Sequence, residues 1–448
     1  MILFIRKIFS GIFGTAQYQK YFDNYVASNS LALFFIHCLS IVLVFLSNFI
    51  LVKIAGVSNY GGYVYLFNLV YLLVTFSILG LDTLLVKKVA VFNDTKKYPQ
   101  LKGIVLFALF IIVISSIIVA ALFKIISNLS GSLNFISQIN WFAFALISLL
   151  MLSAMSLSQV VLQGMKKIVW SQVGEKIIRP MILIALVITF YLFSTQVTLQ
   201  KLIWINVLSI AITLTVILIF CKKTIGSKLK KIKAEYDLKN WIAASMSFFV
   251  VDFLYNFNAR ISIFLLGIFK SGESIGIFNI ALRVSEIISF SLVIINFVLS
   301  PVIANLYANG KKEKLQIMIT RSARGTLFIG LLLTAIILLF SKNILGLFGA
   351  RFISGQVALI ILGVGQLINI LCGSVGLLLL MTGNQRFSIY SLAMGTAINL
   401  ILNFILVPKY GIMGSAIASS ASLITWNLMM YYFVRRKLDI RTTAFGFL

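Results

Sequence analysis

The sequence predicts an all-α polytopic membrane protein with about twelve transmembrane helices. Three observations lead there. The 448 residues are 60% hydrophobic and only 11% charged, with a mean hydropathy of +1.06, whereas soluble domains carry about 25% charged residues. Apolar runs long enough to cross a bilayer recur from one end of the chain to the other. The charge is lopsided, 38 Lys+Arg against 11 Asp+Glu, and the basic residues gather between the apolar runs, as orientation in a membrane requires. A net charge of +27 distributed in this way points to topology and anionic lipid rather than to nucleic acid.

In chain order, Met1 to Gly14 places Ile2, Ile5, Phe9, Ile12 and Phe13 beside Arg6 and Lys7, the pattern of a helix lying on the membrane surface. It lacks the core and cleavage site of a signal peptide. Spanning helices are then expected near 28–52, 62–86, 103–123, 141–163, 177–195, 202–221, 241–268, 275–300, 325–340, 355–382, 387–407 and 412–434. The ninth has the shortest apolar core. Pro180 falls early in the fifth, where a missing N–H costs little. Gly363, Gly365, Gly373 and Gly376 permit the tenth to bend or to pack tightly. Gly414, Ala418 and Ser422 form a small-residue stripe on the twelfth.

Alternate loops differ in charge. One set contains Lys87, Lys88, Lys96, Lys97 and Lys102, the lysine-rich stretch Lys222 to Lys239, Lys311 to Arg324, and Arg435 to Arg441. The other set contains isolated cations such as Lys53, Lys124, Lys201, Lys270 and Lys409. This alternation predicts cytoplasmic termini. The stretch 222–240 divides the chain into an N-terminal lobe, 1–221, and a C-terminal lobe, 241–448, of six helices each. A loop followed by glycine and an aromatic opens both the second helix (Ser58-Asn59-Tyr60-Gly61-Gly62-Tyr63) and the eighth (Glu273-Ser274-Ile275-Gly276-Ile277-Phe278), hinting at a parallel repeat.

The functional signal lies in 241–301. Two spanning runs there contain Asp252, Arg260, Arg283 and Glu286. A charge at mid-bilayer costs on the order of 3 kcal/mol, so such residues face one another or a watery cavity. Asp252, Asn256 and Arg260 follow i, i+4, i+8 and share a helix face, as do Arg283 and Glu286 at i, i+3. These helices are expected to line a cavity where guanidinium groups meet an anionic, diphosphate-bearing ligand. Asp252 and Glu286 then hold the arginines in place or bind a coupling cation. The alternative is that each arginine pairs with an acid only to stabilise the bundle. Asn68 and Gln159 suit sugar hydroxyls, and Asp82 is expected near the end of its helix, able to pair with Lys87. The single histidine, His37, and the dispersed Cys38, Cys221 and Cys372 suggest neither a relay nor a metal site nor a disulfide framework.

No phosphate-binding GxxxxGK[ST] loop and no HExxH occurs, so neither ATP hydrolysis nor zinc-protease chemistry is supported. The outer loops are short and carry Glu273 as their one obvious acid. The residues therefore favour a carrier over a glycosyltransferase or polymerase. Coupling to a proton, to a sodium ion or to the membrane potential stays open, and no bound cofactor is expected.

Several stretches resemble the polysaccharide exporters of the O-antigen flippase type, in the multidrug/oligosaccharidyl-lipid/polysaccharide (MOP) superfamily. They are Gly56 to Ala90, Gln163 to Leu186, Gly276 to Leu306, Gly365 to Phe387 and Asn399 to Ser422. The resemblance implies two six-helix lobes around a central cavity, working by alternating access in the bacterial cytoplasmic membrane. It implies undecaprenyl-diphosphate-linked oligosaccharide as cargo, for O-antigen, lipopolysaccharide or capsule, with a polymerase and chain-length proteins as partners. A cation-coupled multidrug or small-molecule exporter of the same superfamily is the competing reading. Arg283, in the eighth helix, matches the kind of place where related flippases use cavity arginines. Arg260 departs from the family pattern, in which an acid is common.

Overall fold

The computed structural model describes residues 27–130, 141–193, 197–230 and 232–445. The surface helix expected at Met1 to Gly14 lies outside them. The described residues form helices and connecting turns, with no strand. In order the helices are α1 Ala27–Ile78, α2 Leu81–Asp94, α3 Tyr98–Ser130, α4 Trp141–Gly164, α5 Ile168–Val173, α6 Arg179–Phe193, α7 Leu199–Leu229, α8 Leu238–Phe269, α9 Gly272–Glu286, α10 Phe290–Ala308, α11 Lys312–Leu339, α12 Ser341–Phe348, α13 Gln356–Cys372, α14 Val375–Met381, α15 Gln385–Tyr410 and α16 Ile412–Leu438.

Among the described residues, ten helical stretches are long and apolar enough to cross a membrane, or eleven when the bent pair α9–α10 is taken as one crossing. The first of them, Ala32–Ile78, is 47 residues long. That is about 70 Å of helix at 1.5 Å per residue, more than twice the ~30 Å hydrocarbon core. Its backbone leaves helical geometry at Gly56 (φ 75, ψ 166), so it supplies two crossings and raises the count to twelve. The chain is a multi-pass membrane protein, as its composition predicts.

The structure corrects several expected boundaries. The second crossing does not run unbroken to 86. It stops at Ile78, where Leu79 (φ 53) and Gly80 (φ 71) both take left-handed backbone. A Cβ on Gly80 would sit 2.4 Å from the backbone of Phe249 and of Ser245. Glycine is therefore needed both for the turn and for the close approach of α8. The eighth crossing is bent by 53° between α9 and α10. The tenth is not one run over 355–382 but breaks at Gly373 (φ 72). The sixth extends past 221 to Leu229, since lysines continue a helix readily. In the fifth, Pro180 has no N–H to offer the carbonyl of residue 176, and the preceding turn, Gly174–Ile178, opens into π geometry. There the Arg179 N–H reaches back to the Gly174 carbonyl, so the ring is accommodated without a sharp kink.

The molecule divides into two compact units, one spanning Phe35–Arg260 and the other containing Ile261–Leu448. The boundary falls inside α8. In the second unit the small-residue stripe does what its spacing suggests. Gly414, Ala418 and Ser422 are buried on α16. A Cβ on Gly414 would meet the Leu406 backbone of α15 at 2.6 Å, and the Ser422 hydroxyl donates to the Gly395 carbonyl at 2.7 Å.

A charged cavity inside the 35–260 unit

The unit Phe35–Arg260 encloses an open cavity of about 160 Å³. Its floor is the break between α1 and α2. Thr75, Ile78, Gly80 and Asp82 come from that region, Leu152, Met155, Ser156 and Gln159 from α4, and Glu175 from the π turn. Asp252, Asn256 and Arg260 enter from one face of α8, as their i, i+4, i+8 spacing requires. Polar groups concentrate here because helix breaks expose backbone that apolar neighbours cannot satisfy.

The side chains are interlocked. The Asp82 carboxylate receives the Thr83 N–H at 2.8 Å, and the Thr83 hydroxyl points to the Asp252 carboxylate at 3.5 Å. The carboxyl groups of Asp82 and Asp252 lie within hydrogen-bonding reach of each other. The Arg260 guanidinium donates to the Asn256 side-chain oxygen at 2.8 Å and to its carbonyl at 3.1 Å, and packs over the Tyr71 ring at 5.5 Å. Arg179 packs over the same ring at 5.6 Å, donates to the Tyr71 hydroxyl, and donates to Asn206 at 3.2 Å. The Asn206 amide continues the chain to the Tyr63 hydroxyl. Tyr71 thus lies between two guanidinium groups, one held from behind by buried amide and phenol, the other facing the cavity. Among the described lining residues, three carboxylates (Asp82, Glu175, Asp252) accompany one guanidinium, Arg260. The lining is acidic on balance.

Four residues selected from sequence, Asp252, Asn256, Arg260 and Gln159, therefore meet in one cavity. The Gln159 side-chain nitrogen is buried with no protein partner. Asn68 is placed elsewhere, its amide donating to the Val64 carbonyl at 2.8 Å. Arg283 and Glu286 belong to the other unit, on the last turn of α9, and pair with each other at 2.9 Å with side chains 45% and 43% exposed. Sequence reasoning missed Tyr71, Glu175 and Arg179 as parts of a site. The i, i+4 spacing of Glu175 and Arg179 just before Pro180 was the available signal. Asp82 does not pair with Lys87, whose ammonium instead lies 4.4 Å from the Phe248 ring. The second unit has its own buried polar cluster, in which Ser262 joins Asn399, Asn403 and Ser419 through contacts of 2.7 to 3.3 Å.

Known proteins agree with this architecture. The chain resembles an inward-facing multidrug resistance MATE transporter of the MOP superfamily, with a TM-score of 0.71, 14% identity, and 89% of this chain and 94% of that one covered. It also resembles the lipid II flippase MurJ in its inward closed conformation, with a TM-score of 0.69, 16% identity, and 91% and 87% covered. Among curated proteins it is 22% identical over 220 residues to the probable low-salt glycan biosynthesis flippase Agl15 of Haloferax volcanii, covering 48% of this chain and 46% of that protein. It is 27% identical over 163 residues to an uncharacterised membrane protein of Methanocaldococcus jannaschii, covering 36% and 32%. The chain thus aligns with less than half the length of either curated relative. A MatE family model matches residues 247–405. The model described as polysaccharide biosynthesis protein matches residues 26–307, well over half of the chain, and the protein belongs to that family.

Proposed function

We propose that the protein is a flippase that moves a polyprenyl-diphosphate-linked oligosaccharide from the inner to the outer leaflet of the cytoplasmic membrane by alternating access. The observation that carries this reading is a charged, water-accessible cavity built within an apolar helical unit of a polysaccharide biosynthesis family member. Undecaprenyl diphosphate is the expected carrier in a bacterium, with an O-antigen, capsule or related repeat unit as the sugar. A polymerase and chain-length proteins then act on the delivered lipid. Both termini lie on the cytoplasmic side in this reading.

The cavity volume assigns roles. At about 160 Å³ it falls below the ~300 Å³ at which small-molecule pockets begin, so it holds an ion and a few waters rather than a sugar chain. Its acidic lining suits a coupling cation or proton between Asp82 and Asp252, where positive charge relieves the repulsion of two neighbouring carboxylates. Arg283, half exposed on α9, is the candidate for gripping the diphosphate, with Glu286 as its resting partner. Asn68, which lies outside that cavity, is the corresponding candidate for sugar hydroxyls, while Gln159, expected from sequence in the same role, lines the small cavity and would contact the ion and its waters.

Depletion of the protein tests the reading. The expected result is lipid-linked oligosaccharide accumulating on the inner leaflet while surface glycan falls. Unchanged amounts on both sides would refute it. The acidic balance of the cavity and the MatE match over 247–405 favour a second reading, a cation-coupled exporter of small cationic molecules. Raised drug resistance on overexpression, with glycan unaltered, would select that one.

A further inference from the structure

The apolar run of the tenth crossing, 356–381, is interrupted by Gly373 (φ 72, ψ −155) between α13 and α14. The chain that follows α16 returns to this interruption. Asp439 turns the backbone in left-handed geometry (φ 51), and the segment from Asp439 to Phe445 runs back beside α11. Ile440 is 1% exposed and joins the same apolar cluster as Cys372, Val375 and Leu315. The Gln316 side chain of α11 brackets Arg441, accepting its N–H at 2.8 Å and donating to its carbonyl at 2.8 Å. Arg324 donates to the Ala444 carbonyl at 2.9 Å. At the centre, the fully buried Thr442 hydroxyl donates to the Cys372 carbonyl at 2.6 Å. In an unbroken helix that carbonyl would accept the N–H of Gly376. A Cβ on residue 373 would lie 2.5 Å from the Thr442 carbonyl, so glycine is needed for the turn and for the contact alike.

We propose that Asp439–Phe445 is a strap that switches the tenth crossing between a broken and a continuous helix, the Thr442 hydroxyl and the Gly376 amide competing for the Cys372 carbonyl. Docked, the strap satisfies the carbonyl that the break orphans, which hydrocarbon surroundings would otherwise penalise. Undocked, the break loses its partner and the apolar run closes into one helix, the form that its composition alone favours. The hold is reversible. Beyond Ile440 and the hydrogen bonds it consists of Lys312–Asp439 at 3.0 Å and Arg435–Asp439 at 3.1 Å, exposed ion pairs of the weak class. A short segment held in this way belongs to the low-stability end of a fold, from which moving elements are drawn. The proposal does not rest on the cargo, because the device is read out by conformation.

The test uses the full chain in lipid nanodiscs, with Cys38→Ser and Cys221→Ser so that Cys372, 5% exposed, is the remaining thiol. Alkylation of Cys372 by a small maleimide and hydrogen exchange of the amides at 376 and 377 are followed together. Those amides lie in the first turn of α14, where a helix leaves its N–H groups without an i−4 partner, whereas the Val375 N–H is already taken by the Gly373 carbonyl at 2.9 Å. Thr442→Val, which loses one hydrogen bond to the break, should speed alkylation about tenfold, and Gln316→Leu, which loses two, by more than that, while exchange at 376 and 377 slows as the helix closes. If alkylation and exchange both accelerate, the tail is only a prop and the switch is overturned. Unchanged alkylation overturns it as well. Should both core variants fail to fold, Asp439→Asn, which removes only exposed ion pairs, must give the same opposed changes at smaller amplitude, and their absence overturns the proposal.

Discussion

Charge balance in the 35–260 cavity gives a quantitative prediction. Arg260→Gln removes the one lining guanidinium and leaves Asp82, Glu175 and Asp252 facing each other. Asp252 and Arg260 are eight residues apart on α8, about 12 Å along the axis at 1.5 Å per residue. At an effective dielectric constant of about 20, opposite unit charges at that separation attract by about 1.4 kcal/mol. Arg260→Gln also removes the desolvation cost of the guanidinium, so its net effect is not fixed by this pair, but the cycle of Arg260→Gln with Asp252→Asn should show a coupling of about 1.4 kcal/mol. The measurement is a double-mutant cycle on urea or thermal unfolding of the purified protein in a fixed detergent, followed by a fluorescent thiol reagent. A coupling below about 0.5 kcal/mol is indistinguishable from additivity. That outcome would mean that the two groups do not sense each other, and the view of the cavity as one electrostatic unit would fall with it.

Other outcomes follow from the same geometry. Arg283→Ala breaks an ion pair exposed on both sides, worth about 0–1 kcal/mol, so unfolding should barely move while surface glycan is lost; normal glycan would remove Arg283 from the transport cycle. Gly80→Ala should destabilise by about 2–4 kcal/mol, combining left-handed strain with a backbone clash. Gly310→Ala, with φ 65 but nothing within 4 Å, should cost about 1–2 kcal/mol, and equal losses in thermal scans would deny the close approach of α8. Gly414→Leu should push α15 from α16 and lower expression and melting temperature together. The Asp439 carboxyl is held below the usual range by its hydrogen bond to Lys312, by the charge of that lysine and by Arg435. A depressed carboxylate stabilises above its unfolded pKa, so this contribution should be complete at neutral pH and fade only as pH falls below about 3.9, visible as loss of hydrogen-exchange protection at the Arg441 amide relative to its intrinsic rate at each pH.

The number of crossings was legible because hydrocarbon thickness sets the length of an apolar run and little else competes with it. The face shared by Asp252, Asn256 and Arg260 was legible for a similar reason, since helical periodicity alone places them together. What joins that face was not. Asp82 reaches the cavity because two consecutive left-handed residues, Leu79 and Gly80, end one helix and start another, and a left-handed leucine leaves no mark in composition. Tyr71 and Arg179 are 108 positions apart, and Asn206 joins them from a third helix, so only tertiary packing shows that the arginine behind the ring and the arginine in the cavity share a phenol. By charge counting alone Arg179 is one more loop cation, because that count cannot tell a residue at the mouth of a helix from one folded under it.

The interruptions and the chemistry coincide for a common physical reason. Backbone that leaves the helix in an apolar chain must find a polar partner nearby, since lipid supplies none. At Leu79–Gly80 the partners are Thr75, whose carbonyl takes the Leu79 N–H at 3.1 Å, and the Asp82–Thr83 pair beside it. At the α9–α10 bend the Ser289 hydroxyl donates to the Glu286 carbonyl at 3.1 Å, next to the Arg283–Glu286 pair. At Gly373 the partner is Thr442, brought in from the end of the chain. At these three breaks hydroxyls or carboxylates stand beside the interrupted backbone, and each such group draws in water or counter-charge. A straight-helix version of this sequence would satisfy its own backbone and leave Asp82, Asp252 and Arg260 without surroundings that tolerate charge. Where a crossing breaks, the cost of exposing backbone and the cost of burying charge are met by the same polar groups, which is why the candidate site and the strap both occur at glycines with positive φ.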